Sequence, residues 1–500
     1  MTEDRGVGLK AWLSGPKSKK AKVDARAAQL VQMDKRRIVV LPLANISPDP
    51  KDEYFADGLT EELISNISNI SELSVISRTS AMSYKGTRRK VSEIGNELDA
   101  GSVLEGSVRK SGSRMRIAVE LIDARNDRHL WAETYDREFD DVFSVQSDIA
   151  KQVAEALRVR ILPAETRQIE KKPTISSEAY GLYLKGRFLW NKRTKEPLLK
   201  AIEYFEQAIM IDPKFALAYS GIADGYAVLA DQQHLPYIEA NQKQKENALK
   251  AVHLDEASAE AHTSLASALE GEYNWVRAER EFKRAIELNP NYANAHHWYG
   301  IFLWKVGKLD ESLLEASQAL LLDPLSPQIA TSLCFSYDAM KKYDLAESLA
   351  RKVLELEPNF LTALACLHLV YLHQARYVEA QKEVREILRL TNGHPWVKAW
   401  VAAGFAFAGR SEEARTLLDE VKALPPETYV GAQPIVFAYV GLGEKEKAIS
   451  LIEREYETRA NWLPQLAQEP LLASIRFDPR VAKILEKIGL GQLTSAHKEH

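Results

Sequence analysis

Proline recurs at positions 290, 324 and 358, each 34 residues after the last, in the contexts Asn289-Pro290-Asn291, Asp323-Pro324-Leu325 and Glu357-Pro358-Asn359. A proline cannot continue a helix, and a fixed period of this length requires one small unit to be built repeatedly, each copy packed on its neighbours. Ala278, Ser312 and Ala346 stand twelve residues before the prolines and Ala285, Ala319 and Val353 five before, small side chains where two helices cross closely. Leu265, Tyr299 and Leu333 fall on the inward face of each first helix, and Leu269, Leu303 and Tyr337 follow one turn later. These residues predict a stack of helix pairs rather than one large globule.

With small, bulky and proline positions in register, the segment resembles the tetratricopeptide repeat (TPR) family. The resemblance implies an all-α superhelical solenoid of about eight units over residues 178–458. Ala201, Phe205, Ala208 and Pro213 mark the second helix of the first unit, and Tyr219, Ile222, Ala223 and Tyr226 open the second. That second unit has an expanded loop around Asp231 to Tyr237 and Glu256 in place of proline. After three regular units, a sixth carries Leu367, Tyr371, Tyr377, Ala380 and Ile387, with Asn392 at the proline position. Val401, Phe405, Gly409, Ala414 and Leu418 mark the seventh, and Tyr439, Gly443, Ala448 and Ile452 the eighth. Residues 459–500 are expected to form a cap and tail, with Leu471 to Leu490 packing on the last unit and the final ten residues frayed.

In this family the fifth, ninth and twelfth residues of each first helix line the concave groove. Carried over, these are Thr263, Ser267, Glu270; His297, Ile301, Trp304; Thr331, Phe335, Asp338; and Ala365, Leu369, Leu372. None is Lys or Arg, so a basic clamp for a peptide carboxylate is not expected. The expected protein-binding groove is therefore His297, Ile301, Trp304, Thr331, Phe335, Asp338, Leu369 and Leu372, for an amphipathic helix or apolar-anchored peptide with Trp304 and Phe335 as anchors. The alternative is that these aromatics pack only on this chain, for instance on the terminal segment.

Ahead of the repeats, Ile38-Val39-Val40-Leu41-Pro42 is a short apolar β-branched run, the form of a strand buried on both faces. The segment from Asp57 to Ile64 opens a helix, with Thr60 available as N-cap and Glu61-Glu62 in the first turn. A strand over Leu73 to Ser77 and a helix near Val91 to Leu98 follow, then extended segments over Ser102 to Arg109, Arg114 to Asp123 and His129 to Tyr135, and a helix from Asp141 to Arg160. Ile117, Val119 and Leu121 alternate with Arg116, Ala118 and Glu120, the pattern of a half-exposed antiparallel strand. This order makes an α/β domain over residues 36–162, followed by a linker at 163–177. Residues 1–35 read as a flexible tail, with a short helix near Ala25 to Met33 and a solvated cluster at Lys17, Lys19, Lys20 and Lys22.

YFADGLTEELISNIS (Tyr54 to Ser68), Ser83-Tyr84-Lys85-Gly86, Val103 to Arg109, Leu121 to Ala124, and His129 to Glu133 with Tyr135-Asp136-Arg137 resemble the TolB-amino-terminal-like domain of bacterial signalling proteins. In that family the module often follows a class III adenylate cyclase domain, or a CadC-like winged-helix domain and a membrane helix. The 35 residues ahead of it here are too few for either.

A 45% hydrophobic, 27% charged chain with net charge −4 fits a soluble protein and disfavours nucleic acid as partner. Two cysteines, Cys334 and Cys366, give no disulfide framework, and neither a membrane span nor a signal peptide is legible, so a cytoplasmic location is expected. Gly300 to Gly307-Lys308 ends in Leu309 where a phosphate loop needs Ser or Thr, and Gly441-Leu442-Gly443 lies between helices. His296 and His297 point about 100° apart on a helix and make no zinc site. No catalytic set, metal or cofactor is expected. The sequence reads as a non-catalytic adaptor with a protein or peptide partner in the groove, or as the detached regulatory part of a cyclase or winged-helix system, with a cyclase or transcription regulator as partner.

Overall fold

The computed structural model describes residues 34–232, 234–425 and 430–496. The Lys17 to Lys22 cluster and the helix expected near Ala25 to Met33 lie outside the described residues.

An α/β domain comes first. Its sheet runs β3 (Ser74–Val75), β1 (Arg37–Val40), β4 (Ser102–Ser111), β5 (Arg114–Asp123), β6 (Arg128–Glu138), and the short β2 (Ala44–Asn45) pairs with the far end of β4. β1 lies parallel to both neighbours, while β4, β5 and β6 form an antiparallel meander. Ile38, Val39 and Val40 have no exposed surface, as an unbroken apolar run in mid-sheet requires. Helices α1 (Glu53–Ser68), α2 (Arg78–Met82), α3 (Val91–Leu98) and α4 (Val142–Ala156) complete the domain.

The N-cap assignment at Thr60 is corrected. A 3₁₀ turn at Pro50–Asp52, capped by Asp49 onto the Lys51 N–H at 2.9 Å, feeds directly into α1, so the helix starts at Glu53. Thr60 is thus two turns inside the helix, where its hydroxyl donates to the Ala56 carbonyl at 2.8 Å and accepts the Leu43 N–H at 3.0 Å. Glu61 and Glu62 are likewise mid-helix, not a first-turn pair serving the dipole.

The expected linker is also structured. Pro163–Ile169 forms α5, and Glu165 in its first turn accepts the Leu162 N–H at 2.7 Å together with the N–H and hydroxyl of Ser71. Thr174 donates to Asp212, and Lys171 pairs with Asp255. Its hydrogen bonds reach back into the α/β domain and forward into the repeats.

The repeats follow as eight helix pairs among the described residues: α6 (Ser177–Trp190) with α7 (Lys195–Ile211), α8 (Ala216–Asp231) with α9 (Tyr237–Leu254), α10 (Ala259–Glu270) with α11 (Trp275–Leu288), and α12 (Ala293–Lys305) with α13 (Leu309–Leu322). The remaining four are α14 (Pro327–Ala339) with α15 (Tyr343–Leu356), α16 (Leu361–His373) with α17 (Tyr377–Leu390), α18 (Pro395–Phe407) with α19 (Ser411–Lys422), and α20 (Gln433–Gly441) with α21 (Lys445–Glu457). This is an all-α TPR solenoid behind an α/β domain. A Cβ on Gly186 of α6 or Gly221 of α8 would lie 2.4 or 2.8 Å from the ring of the buried Phe205 on α7, so helices of the first and second pairs can approach that ring only as glycine.

Two consecutive units share a histidine staple. His262 Nδ1 meets Glu281 Oε2 at 2.7 Å and its Nε2 meets the Glu256 carbonyl at 3.1 Å. One period later, His296 makes the same bonds to Glu315 at 2.6 Å and Pro290 at 3.0 Å. Each ring ties its own helix pair to the loop that precedes it.

The chain closes with 3₁₀ turns at Leu463–Ala467 and Pro470–Leu472 and helices α22 (Ala473–Arg476), α23 (Pro479–Lys487) and α24 (Gly491–Ala496). Of the residues expected to fray, 491–496 are helical and 497–500 lie outside the described residues. This segment does more than cap α21. Trp275 Nε1 donates to the Ile488 carbonyl at 2.5 Å and the Tyr273 hydroxyl to the Ala460 carbonyl at 3.1 Å, so it reaches back to the third helix pair. No helix among the described residues is long and apolar enough to cross a membrane.

Candidate functional site

The α/β domain docks on the edge of the array formed by the loops between units, and the contacts keep the array's period. Asp255, Asn289 and Asp323 stand 34 residues apart, each just before the proline position. Asp255 pairs with Lys171 of the segment that joins the two parts, and the next two loops meet the α/β domain itself. Asn289 Nδ2 donates to Ser68 Oγ at 2.7 Å, and Asn291 Nδ2 to the Ser68 carbonyl at 3.1 Å. Asp323 Oδ1 accepts both the Ser80 N–H at 2.8 Å and the Ser80 hydroxyl at 2.5 Å, and burial pushes its carboxyl above the usual range against those bonds. Beside it, the Ser77 N–H donates to the Leu322 carbonyl at 2.8 Å and Arg37 Nη2 to the Leu321 carbonyl at 2.5 Å.

Inside this edge an ion network joins α1 to α6. Arg187 Nε donates to Glu61 Oε1 at 2.9 Å and Asn191 Nδ2 to Glu61 Oε2 at 3.0 Å, while Arg78 Nε lies 3.1 Å from the same oxygen. Burial works against the Glu61 charge, but Arg187 and Arg78 outweigh it and hold this carboxyl below the usual range. At its neighbour Glu62, Arg187 acts too weakly to decide the outcome. Burial, with the charges of Glu61 and Glu260, pushes Glu62 up to about 8, so it is mostly protonated at neutral pH. Asp224, bonded by the Ser264 hydroxyl at 2.6 Å, is raised to about 6 by burial. The two parts enclose a cavity of about 120 Å³ between α1, α2, α6, α8 and the start of α12.

The expected groove residues are largely spent within the fold. His297 is buried, with Nε2 2.8 Å from Ser332 Oγ, and burial pushes its imidazole down to about 4. Thr331 is buried and donates to the Pro327 carbonyl at 2.9 Å. Phe335 and Leu369 are half-buried against the cluster that contains the buried Leu372, and Ile301 and Trp304 are half-buried on α12. The terminal segment meets this face. Gln468 Nε2 donates to the Trp304 carbonyl at 2.6 Å, and Leu471 packs on the same cluster as Phe335 and Leu369. Asp338 Oδ1 lies 2.9 Å from His373 Nδ1, whose Nε2 lies 2.7 Å from Glu469 Oε1. At the end of the groove bounded by Trp304 and Asp338, the chain's own tail is therefore part of the surface. Of the other carried-over positions, Thr263 bonds the Ala259 carbonyl, Ser267 accepts from Gln244, Glu270 pairs with Lys305, and Ala365 is half-buried.

Sequence reasoning missed Arg187, Arg78, Glu61 and the docking loops. The spacing of Asn289 and Asp323 was a usable signal, since a polar residue before each repeat proline recurs with the period, but it reads equally as turn chemistry.

Residues 34–152 match the family described as the second domain of HilA/YgeH-like transcriptional regulators, and residues 179–215 match a tetratricopeptide repeat. A Rhizobium meliloti protein named "Putative adenylate cyclase 3" is 37% identical over 189 residues, 38% of this chain and 32% of that protein. The chain thus spans about a third of the length of that relative. Transcriptional regulator HilA of Salmonella typhimurium is 22% identical over 444 residues, 85% of this chain and 76% of that protein. A solved TPR protein of Thermus thermophilus is 22% identical, covering 37% of this chain and 94% of that one, with a TM-score of 0.31. The chain carries a HilA/YgeH-like second domain followed by tetratricopeptide repeats.

Proposed function

We propose that this chain is a cytoplasmic, non-catalytic regulatory adaptor, in which the repeat array binds another protein and the α/β domain sets the array's shape. The observation that supports it best is the docking of the α/β domain on two successive repeat loops, through Asn289 and Asp323, with Asp255 of the preceding loop held by Lys171 in the segment that joins the two parts. A domain and its joining segment that grip a solenoid at consecutive units fix the relative rotation of those units, and so the curvature of the face they share. In this reading the α/β domain is TolB-amino-terminal-like, as the Tyr54 to Ser68 run and the Val103 to Arg109 strand suggest. The half-buried Phe335 and Leu369 are the anchors for a partner helix, and Trp304 is shared with the tail.

The similarities to a protein named as a cyclase and to HilA favour a second reading, in which this body is the regulatory part of an adenylate cyclase or winged-helix system. Affinity capture from source-cell lysate separates the two. The parent chain is compared with a Phe335→Ala/Leu369→Ala variant verified as folded by circular dichroism. A partner lost with the variant supports the groove, and its identity as a cyclase or DNA-binding regulator selects the second reading. Equal capture by both refutes the groove.

A further inference from the structure

The cavity between the two parts is lined by donors whose hydrogen bonds the docking and the groove leave unmade. Trp190 and Ser220 are 2% and 3% exposed, yet Trp190 Nε1 and Ser220 Oγ have no partner among the described residues. Arg78 Nε is also unsatisfied: its ion pair with Glu61 is close, but the angle is too poor for a hydrogen bond. Arg193, in the turn after α6, stacks its guanidinium 3.5 Å from the centre of the Trp190 ring and makes no side-chain hydrogen bond to a described residue. All four residues line the one cavity.

Each orphaned group can donate, and an arginine or an indole nitrogen can do nothing else. Of the carboxyls on the same walls, Glu61 is engaged by Arg187 and Asn191, Asp224 Oδ1 by Ser264 and Glu260 Oε2 by Ser258, while Glu62 is raised to about 8 by burial. Trp190 Nε1, Ser220 Oγ and Arg78 Nε are buried donors without a partner, which costs stability, so the arrangement suits an acceptor supplied from outside, with the exposed Arg193 adding a cation on the same wall. The cavity's 120 Å³ has room for a small polar solute or group.

We propose that the cavity binds a small oxyanion, the phosphate or carboxylate group of a small solute, with Arg193 and Arg78 supplying charge and Trp190 Nε1 and Ser220 Oγ completing the shell. Arg78 belongs to the α/β domain and the other three to the repeats, so the anion bridges the docking interface and tightens it. This goes beyond partner binding and is measured on the isolated chain, so either can fail alone.

The test is equilibrium dialysis of the full chain with radiolabelled inorganic phosphate in a buffer free of other oxyanions, with acetate as competitor. One saturable site per chain is expected. Arg193→Gln, a change at an exposed turn, should weaken it by about tenfold or more, and Ser220→Ala by a smaller factor, with circular dichroism showing both folded. Arg284→Gln, on α11 and paired only with its helix neighbour Glu287, serves as control and should leave binding unchanged. Displacement by acetate assigns a carboxylate source, and phosphate binding without displacement a phosphate source. No saturable binding of either anion, or equal affinity in the parent and Arg193→Gln, overturns the proposal.

Discussion

Replacing His373 by alanine should free the terminal segment from the array. The imidazole is held between Asp338 Oδ1 at 2.9 Å and Glu469 Oε1 at 2.7 Å, with its side chain 3% exposed. Burial alone would lower its pKa, but the two carboxylates overcome that and raise it from 6.5 to about 10. At about 1.36 kcal/mol per decade of binding constant, that corresponds to a ceiling of about 5 kcal/mol for the charged ring in this site. Removing the ring leaves two buried carboxylates facing each other, and loss of one partner of a buried pair costs about 3–5 kcal/mol. A repeat array opens locally, so the readout is hydrogen exchange of residues 463–472 rather than a single global midpoint. Their protection should fall by about a hundredfold or more in His373→Ala at pH 6.5. The sign follows from a folded pKa above the unfolded one: the contribution is complete below about 6.5 and is lost as pH rises towards 10, so parent and variant should converge over that window. A change in protection below about tenfold, or a difference that stays flat from pH 6.5 to 10, would refute the clasp.

Asp323→Ala should loosen the α/β domain by about 1–3 kcal/mol, because two Ser80 donors lose their buried acceptor; faster proteolysis between residues 163 and 177 checks it, and unchanged cleavage would count against the docking account. Glu62→Gln should stabilise the protein by about 1–3 kcal/mol at pH 7 and by less at pH 5, since a carboxyl raised from 4.5 to about 8 contributes fully below the unfolded value and loses that contribution as pH rises through the folded one. Urea unfolding at both pH values reads this, and a destabilised variant at pH 7 would contradict it. Cys334 and Cys366 have no exposed surface, and burial raises the Cys366 thiol well above its usual range, so both should resist a thiol reagent in the native state and react after denaturation; rapid native labelling would sink that.

Much of the fold is legible because helix pairing is local. The 34-residue period encodes contacts inside one unit and with the next, and helices α10 to α15 fall where the prolines and small residues put them. The strands β4 and β5 follow from alternation in the same way, while α1 starts earlier than its N-cap signal indicates because a 3₁₀ turn outside the apolar pattern nucleates it. Glu61 was misplaced for that reason, and its real partner, Arg187, is 126 residues away.

The sequence by itself determined a repeat array behind an α/β domain, since each of these rests on periodicities read within a few turns of chain. Only the tertiary structure decided that two repeat loops grip that domain and a third the segment behind it, that Asn289 finds Ser68 across 221 residues, and that the tail crosses the array to His373 and Trp275. Such contacts depend on shape and charge matching between surfaces that no sequence period relates, so they emerge only when both surfaces are already folded.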